Sequence, residues 1–301
     1  MLGTGNAAVT RCYNTCFALR CQDKTLLVDA GGGNGILIQL EKAGIPLTDI
    51  HAMFLTHAHT DHILGAIWVV RVIAQLMQAG KYEGTFHVYG HDKAIQVLDW
   101  ICRMTLPAKI VARLGKGIEL HTVTDGMCFE AGGFSLQCFD IASTKEKQYG
   151  FRTTLPDGKK LVCLGDEPYN ELNHDYVAGA DWLLCEAFCL YDDRERFKPY
   201  EKHHSTALDA GRLASSLDVK NLLLYHTEDK TLATRIPPKP DKSFREMCMC
   251  PMIWRRSFYN TEIFRLPILV FPFLTVRSLL SVMLGRNACF RLEEFAESRL
   301  V

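Results

Sequence analysis

Short apolar runs alternate with stretches of helical periodicity from residue 1 to about residue 231. Apolar runs that end in glycine or charged residues predict strands, whereas apolar residues recurring every three or four positions predict helices. The predicted strands are residues 24–30, 50–55, 86–89, 118–123, 134–141, 149–154, 160–164, 182–185 and 222–225. The predicted helices are residues 36–43, 63–78, 94–104 and 206–217. Strands in both halves with helices between them indicate two β-sheets with helices outside.

Residues 235–301 have a different composition, with a proline cluster at 237–240 and a strongly apolar segment at 263–284. Charged residues leave an unbroken run of only 11 residues, 266–276, within that segment. Because a spanning helix needs roughly 20 apolar residues, no membrane span is expected. We therefore divide the chain into a domain at 1–234 and an atypical apolar and basic C-terminal extension at 235–301, typical of a buried or poorly ordered appendage.

The charge balance and the cysteines narrow the class of protein. Lysine and arginine total 34, as do aspartate and glutamate, so the formal net charge is zero. This balance argues against a protein that coats nucleic acid through a broad basic surface. The twelve cysteines are scattered singly through apolar segments, and Met1 is followed by a polar, glycine-rich stretch rather than a signal peptide. We expect reduced thiols and a cytoplasmic protein.

The segment between the second predicted strand and the second predicted helix is rich in metal-binding side chains. His57, His59, Asp61 and His62 fall within six positions, although eleven histidines in 301 residues average about one in 27. Imidazole nitrogens with one carboxylate suit zinc better than calcium or magnesium. The spacing therefore predicts a metal-binding loop, and a polar loop in which histidines cluster by chance is the alternative.

Further ligands must come from elsewhere in the chain, and three candidates follow predicted strands or precede a predicted helix. Asp166 and His226 each come directly after an apolar strand, and His204 comes just before the last predicted helix. A carboxylate such as Asp166 can bridge two cations. The alternatives are a turn residue for Asp166 and an ordinary core histidine for His226.

The hexapeptide at 57–62, His-Ala-His-Thr-Asp-His, resembles the signature of the metallo-β-lactamase-fold hydrolases. Other segments resemble the ribonuclease Z-like branch of that group, and they are Leu2-Gly3-Thr4-Gly5, Asn14-Thr15, Gly165-Asp166, Glu186-Ala187, His204-Ser205-Thr206 and His226. The resemblance spans roughly residues 1–234. It implies an α/β fold of the αββα sandwich type, in which two mixed β-sheets pack face to face with helices on the outside.

The resemblance also implies a ligand set for up to two zinc ions. The ligands would be His57 and His59 for the first site, Asp61, His62 and His226 for the second, and Asp166 as the bridge. In such enzymes the metals activate a water for attack on a phosphodiester or similar bond. By the same resemblance Asp61 would orient the water, and His204 would contact the scissile phosphate or protonate the leaving oxygen. Glu186 would hold a histidine from outside the metal shell, and an ordinary buried charge partner is its alternative.

Two departures from the family pattern affect the expected function. The family has one more histidine ligand where this chain has Ala142, so the first site would be weakened and activity reduced. Residues 142 and 166 are only 24 positions apart, which leaves room for a strand pair but not for the long flexible arm with which ribonuclease Z proteins grip transfer RNA.

We therefore predict a zinc-dependent hydrolase, a phosphodiesterase acting on a small-molecule or nucleotide phosphodiester. One alternative is a transfer-RNA 3′-processing endonuclease, with RNA the less favoured substrate. Another is a catalytically impaired metal-binding relative, which the alanine at 142 motivates. Oxygen- or nitric-oxide-reducing di-iron relatives are disfavoured because they carry glutamate where this chain has His59. Ribonuclease Z relatives tend to be dimers, so a homodimer is left open.

Overall fold

The computed structural model describes residues 1–230 and 247–248, and in these residues twelve strands form two sheets. The strands are β1 (Phe17–Cys21), β2 (Lys24–Val28), β3 (Ile50–Leu55), β4 (Phe86–Gly90), β5 (Ile118–Thr122), β6 (Cys128–Ala131), β7 (Phe134–Asp140), β8 (Tyr149–Thr154), β9 (Lys160–Cys163), β10 (Trp182–Glu186), β11 (Asn221–Tyr225) and β12 (Met247–Cys248). The α-helices are α1 (Gly35–Lys42), α2 (Thr60–Gln78), α3 (Asp92–Thr105), α4 (Ala108–Val111), α5 (His174–Val177), α6 (Arg194–Phe197) and α7 (Ala207–Ser216). The 3₁₀ turns are Leu47–Asp49, Glu171–Asn173, Tyr191–Asp193 and Tyr200–Lys202.

Both sheets are mixed. In the five-stranded sheet, in the order β1-β2-β3-β4-β5, β1 is antiparallel to β2 and the other neighbours are parallel. In the seven-stranded sheet, in the order β12-β11-β10-β9-β8-β7-β6, the strands from β6 to β9 are antiparallel and those from β9 to β12 are parallel. The antiparallel pair β8 and β9 occupies the interval between residues 142 and 166, as the spacing predicted.

The hydrophobic core lies in three layers. Leu26, Val28 and Phe54 of the first sheet pack with Phe151 of the second sheet between the two sheets. The opposite face of the first sheet packs against α1, α2 and α3, and that of the second packs against α7. Strands buried on both faces need apolar residues at every position, which explains why they read as continuous apolar runs. The αββα sandwich is confirmed.

The first turn of α2 differs from the sequence prediction. The helix begins at Thr60, with His59 as its N-cap residue, and not at residue 63. Asp61 and His62 are therefore helical residues rather than loop residues. A carboxylate in the first turn is favoured because it faces the positive end of the helix dipole. The correction matters because a helix fixes the direction of these two side chains more tightly than a loop would.

Three further expectations concern the cysteines, membrane spans and the C-terminal extension. The nine cysteines of residues 1–230 are all free. Among the described residues α2 is the one helix long and apolar enough to cross a membrane, but half of its apolar window is buried inside the domain, and core helices pass the same test. The extension predicted at 235–301 lies outside the described residues except for the backbone of β12.

Candidate metal centre

The candidate side chains lie at the carboxyl ends of strands from both sheets. Asp29 follows β2, His57 follows β3, Asp166 follows β9 and His226 follows β11. Parallel strands end at the same edge of a sheet, and loops at that edge bring side chains of distant residues together. The structure thus brings together all six residues that the sequence analysis proposed as metal ligands.

Helix α2 packs unusually close to the end of β2, and this contact positions Asp61 and His62. The amide of Gly65 donates to the carbonyl of Gly31 at 2.8 Å, and the amide of Ala30 donates to the carbonyl of His62 at 3.0 Å. A Cβ atom at Gly65 would lie 1.8 Å from the carbonyl oxygen of Ala30. Only glycine allows the backbones to approach this closely.

The first cluster of potential ligands contains His57, His59 and Asp166. Nε2 of His57 lies 2.9 Å from Nδ1 of His59. Oδ2 of Asp166 lies 3.5 Å from Nε2 of His57 and 3.9 Å from Nδ1 of His59. His57 and Asp166 are buried, whereas 40% of the His59 side chain is exposed. The first cluster is therefore buried except on the side of His59.

The second cluster contains Asp61, His62 and His226, all buried. Oδ2 of Asp61 lies 3.3 Å from Nε2 of His226 and 3.5 Å from Nε2 of His62. Oδ2 of Asp166 lies 3.4 Å from Nε2 of His226 and 3.8 Å from Nε2 of His62. The Asp166 carboxylate therefore faces both clusters, which is the geometry that a bridging ligand requires.

Unpartnered polar atoms in these clusters fit a bound cation. Nε2 of His62 and Oδ1 of Asp166 are buried and have no hydrogen-bond partner. Leaving such atoms unsatisfied costs about 1–3 kcal/mol each, more for charged groups, and native proteins rarely tolerate it without a reason. Imidazole and carboxylate donors of this kind suit zinc, and a cation between them would satisfy the unpartnered atoms. The residues present fit the metal that the resemblance implies.

Asp29 holds a histidine of each cluster through hydrogen bonds on the side away from the cluster, a role that the sequence analysis missed. Its buried carboxylate accepts hydrogen bonds from the Thr56 amide at 2.8 Å, the Thr56 hydroxyl at 2.7 Å and Nδ1 of His62 at 2.8 Å. A hydroxyl has one proton, so Oγ1 of Thr56, which donates to Asp29, accepts from Nδ1 of His57 at 2.9 Å. The Nε2 atoms of His57 and His62 are thereby left to face the clusters. An acidic residue directly after an apolar strand was the available signal, as it was for Asp166.

Burial and neighbouring charges shift the pKa values in the two clusters. Burial lowers the pKa of His57, which favours the neutral ring that a ligand needs. Burial alone would lower the pKa of His62 as well, but the carboxylates of Asp29 and Asp61 raise it to about 9. Burial would raise the pKa values of Asp61 and Asp166, yet the hydrogen bonds and charges of the surrounding histidines hold both below their usual range. The carboxylates are therefore ionised at neutral pH.

His204 and Glu186 lie beside the second cluster. The His204 ring is centred 5.1 Å from the His226 ring and stacks on Phe188 at 4.9 Å. Nδ1 of His204 lies 3.3 Å from Oε2 of Glu186, an ion-pair distance without a hydrogen bond, and Oε1 of Glu186 accepts a hydrogen bond from the Ser205 amide at 2.6 Å. The carboxylate thus faces the histidine that the resemblance assigned to the scissile phosphate.

Ala142 directly follows Asp140 and Ile141 at the end of β7. Its backbone has a φ of 57°, and its amide donates to Oδ1 of Asp140 at 2.8 Å. Alanine has no donor atom, so the first cluster has three protein ligands, whereas Asp166 as a bridge would give the second cluster a fourth. That the first site binds metal weakly remains a prediction.

Comparison with known proteins identifies the family. The profile of the family described as Anti-Pycsar protein Apyc1 matches residues 1–235. The chain belongs to this family. The Apyc1 match covers both sheets up to β11 and every residue of the two clusters.

Similar proteins and solved structures are named ribonuclease Z, tRNase Z and PqqB. A ribonuclease Z from Bradyrhizobium sp. (strain ORS 278) is 27% identical over 256 residues, which cover 67% of this chain and 82% of the relative. The human short-form tRNase Z superposes with a TM-score of 0.64 at 20% identity, covering 83% of this chain and 94% of that structure. Zinc-bound PqqB from Methylobacterium extorquens superposes with a TM-score of 0.55 at 17% identity, covering 75% and 87%. This Apyc1-family chain is therefore a ribonuclease Z-like, metal-dependent hydrolase of the metallo-β-lactamase fold.

Proposed function

We propose that the protein is a zinc-dependent phosphodiesterase that acts on a small-molecule or nucleotide phosphodiester. The observation that carries the proposal is the pair of adjacent three-residue clusters. The first contains Asp166, and the same carboxylate oxygen lies 3.4 Å and 3.8 Å from the two histidines of the second. Zinc is preferred because the donor atoms are histidine nitrogens and carboxylate oxygens around a buried point. When bound, zinc would lower the pKa of a water molecule and offset the charge that develops on the phosphoryl oxygens.

The protein's own side chains supply orientation and proton transfer. Asp61 is ionised and can accept a hydrogen bond from an attacking water, and this bond would orient a lone pair of the water toward the phosphorus. His204, backed by Glu186 at 3.3 Å and by the ring of Phe188, can contact the phosphate or donate a proton to the leaving oxygen. His59 lies on the exposed side of the first cluster, so a substrate can enter from that side.

The size of the substrate is inferred from the short segment between Ala142 and Asp166. The segment between Ala142 and Asp166 contains only β8, β9 and their turns, so it offers no extended arm for a folded RNA. The zero net charge of the chain agrees with a small substrate. The relatives named ribonuclease Z favour a transfer-RNA 3′-processing endonuclease as the second candidate.

The test is hydrolysis by the purified zinc-loaded protein of bis(4-nitrophenyl) phosphate and nucleotide diesters, beside a precursor transfer RNA with a 3′ trailer. We expect turnover of the small diesters and little cleavage of the RNA, and the opposite preference would favour the second candidate. His62→Ala is expected to lose zinc and activity together. His174→Ala is the matched control, because that histidine is exposed and pairs with Asp175. Zinc binding without hydrolysis of any diester would indicate the catalytically impaired relative.

A further inference from the structure

The loop between β7 and β8 places Lys145 against His204, the histidine proposed to contact the phosphate. Nζ of Lys145 donates to Nε2 of His204 at 3.3 Å. The ring of His204 is centred 5.1 Å from that of His226, which belongs to the second cluster. The ammonium group is therefore one side chain away from the proposed metal ligands. No part of the function argued above uses this charge.

A buried carboxylate fixes this loop in place. Glu167 directly follows the bridging Asp166, and it is 5% exposed. It accepts hydrogen bonds from the Ser143 hydroxyl at 2.7 Å, the Thr144 amide at 3.0 Å and the Lys145 amide at 3.3 Å. Two backbone amides and one side-chain hydroxyl donate to this carboxylate and hold the loop, so the backbone of Lys145 is fixed beside the site.

The ammonium group of Lys145 remains available for a ligand. Its ion-pair distance to Oε1 of Glu167 is long, at 3.8 Å, and 26% of its side chain is exposed. An ammonium group has three donors, and in the free protein its closest polar contact is Nε2 of His204. An anionic oxygen would be a stronger acceptor for the Lys145 ammonium group than Nε2 of His204 is, because a hydrogen bond between two charged groups is stronger.

We propose that Lys145 binds a non-bridging oxygen of the substrate phosphate and that Glu167 is its positioning residue. The inference rests on the proposed function and adds a specific anion contact to it. The same loop carries Ala142, so the loop that lacks the expected histidine ligand brings a fixed positive charge to the site. A phosphodiester carries one negative charge on its two non-bridging oxygens, and the ammonium group matches that charge.

The test is the binding of inorganic phosphate to the zinc-loaded protein by titration calorimetry. Lys145→Met removes the charge but keeps the length of the side chain. We expect it to raise the phosphate Kd about tenfold, as loss of one charge-assisted hydrogen bond would. Lys145→Arg should stay within about threefold of the wild-type protein because it keeps the charge. Zinc content and melting temperature should not change, since Lys145 is not a ligand in either cluster.

Lys147→Met is the matched control, because it removes the same charge two residues along the same loop. Lys147 pairs with Asp92 at 2.7 Å and lies over the ring of Tyr149, so phosphate affinity should not change. Equal phosphate affinity in Lys145→Met and the wild-type protein would overturn the inference, as would equal losses in Lys145→Met and Lys147→Met.

Phosphate binding and diester hydrolysis are measured separately, so the two proposals can fail separately. Phosphate binding that depends on Lys145 without hydrolysis of any diester would contradict the proposed function but keep the anion contact. Hydrolysis of diesters with unchanged KM and kcat in Lys145→Met would keep the function and reject the contact. Glu167→Gln should weaken phosphate binding in the wild-type background but add little in Lys145→Met, because it acts through the lysine.

Discussion

Replacing Asp29 by asparagine tests whether the candidate metal centre is held from behind. The substitution keeps the shape of the side chain but exchanges one acceptor oxygen for an amide that donates. In the wild-type protein Oδ2 accepts from both the Thr56 hydroxyl and Nδ1 of His62, and Oδ1 accepts from the Thr56 amide. In the variant the remaining oxygen can still accept from the Thr56 amide. An amide nitrogen in place of Oδ2 would face the Nδ1 proton of His62. The ring would have to move its proton to Nε2 or turn away, and Nε2 is the atom that faces the second cluster.

The expected loss follows from how directly each histidine is held. Loss of an outer hydrogen-bond partner of a metal ligand costs about 10–100-fold in metal affinity, or about 1.4–2.7 kcal/mol. We expect Asp29→Asn to weaken the second site by this amount, because His62 contacts Asp29 directly. The first site should lose less, because His57 contacts Asp29 only through the Thr56 hydroxyl, which can rotate. Thr56→Val should show the reverse preference and weaken the first site more.

Zinc affinity is measured by competition with a chromophoric chelator, and zinc content is measured on the dialysed protein. Asp49→Asn is the control, because it makes the same chemical change in a partly exposed carboxylate that pairs with Arg20 at 3.1 Å. If Asp29→Asn remains folded and binds zinc as tightly as Asp49→Asn, the assigned supporting role of Asp29 is wrong.

Three further predictions concern pH, the alanine at 142 and the packing of α2. The pKa of His62 is raised to about 9 in the metal-free protein, so zinc must displace its proton. Zinc affinity should therefore rise by up to tenfold per pH unit below about 9, and calorimetry in buffers of different ionisation enthalpy should detect the released proton; a pH-independent affinity from 6 to 8 would contradict this. Ala142→His should raise the zinc content and turnover, and histidine tolerates the left-handed backbone at 142; unchanged zinc content would show that residue 142 does not face the first site. Gly65→Ala should lower the free energy of unfolding in urea by about 1–3 kcal/mol, because the new Cβ would overlap the carbonyl of Ala30. Gly33→Ala is the control and should be nearly neutral, because a Cβ at residue 33 would have no atom within 4 Å.

Much of the fold could be predicted because its strands are buried on both faces. Continuous apolar runs such as β3 and β9 are easy to recognise, and the helices α2 and α7 have clear periodicity. β1 was not predicted, because Arg20 and Cys21 end its apolar run early. β6 was not predicted, because it has four residues and contains Glu130. Strands of this kind are specified by their pairing partners, here β2 and β7, rather than by their own composition.

The candidate site was predictable where its residues are close together in sequence. His57, His59, Asp61 and His62 form one local pattern. Asp166 and His226 were candidates because they follow apolar strands, and the resemblance assigned them to the two sites. Asp29 and Glu167 were missed because their roles depend on partners brought near by folding. Asp29 contacts a residue 33 positions away, and Glu167 holds a backbone 22 to 24 positions away. The place of Asp29 after an apolar strand was a signal for the residue, but a single sequence does not show which distant partner it contacts.

The location of bound zinc tests the central claim most directly. Crystals of the zinc-loaded protein, measured on both sides of the zinc absorption edge, give the position and the occupancy of each ion from anomalous scattering. We predict one well-occupied zinc between Asp61, His62 and His226, and a less occupied one between His57, His59 and Asp166. No zinc peak within bonding distance of these six side chains, or zinc bound only elsewhere on the protein, would contradict the account.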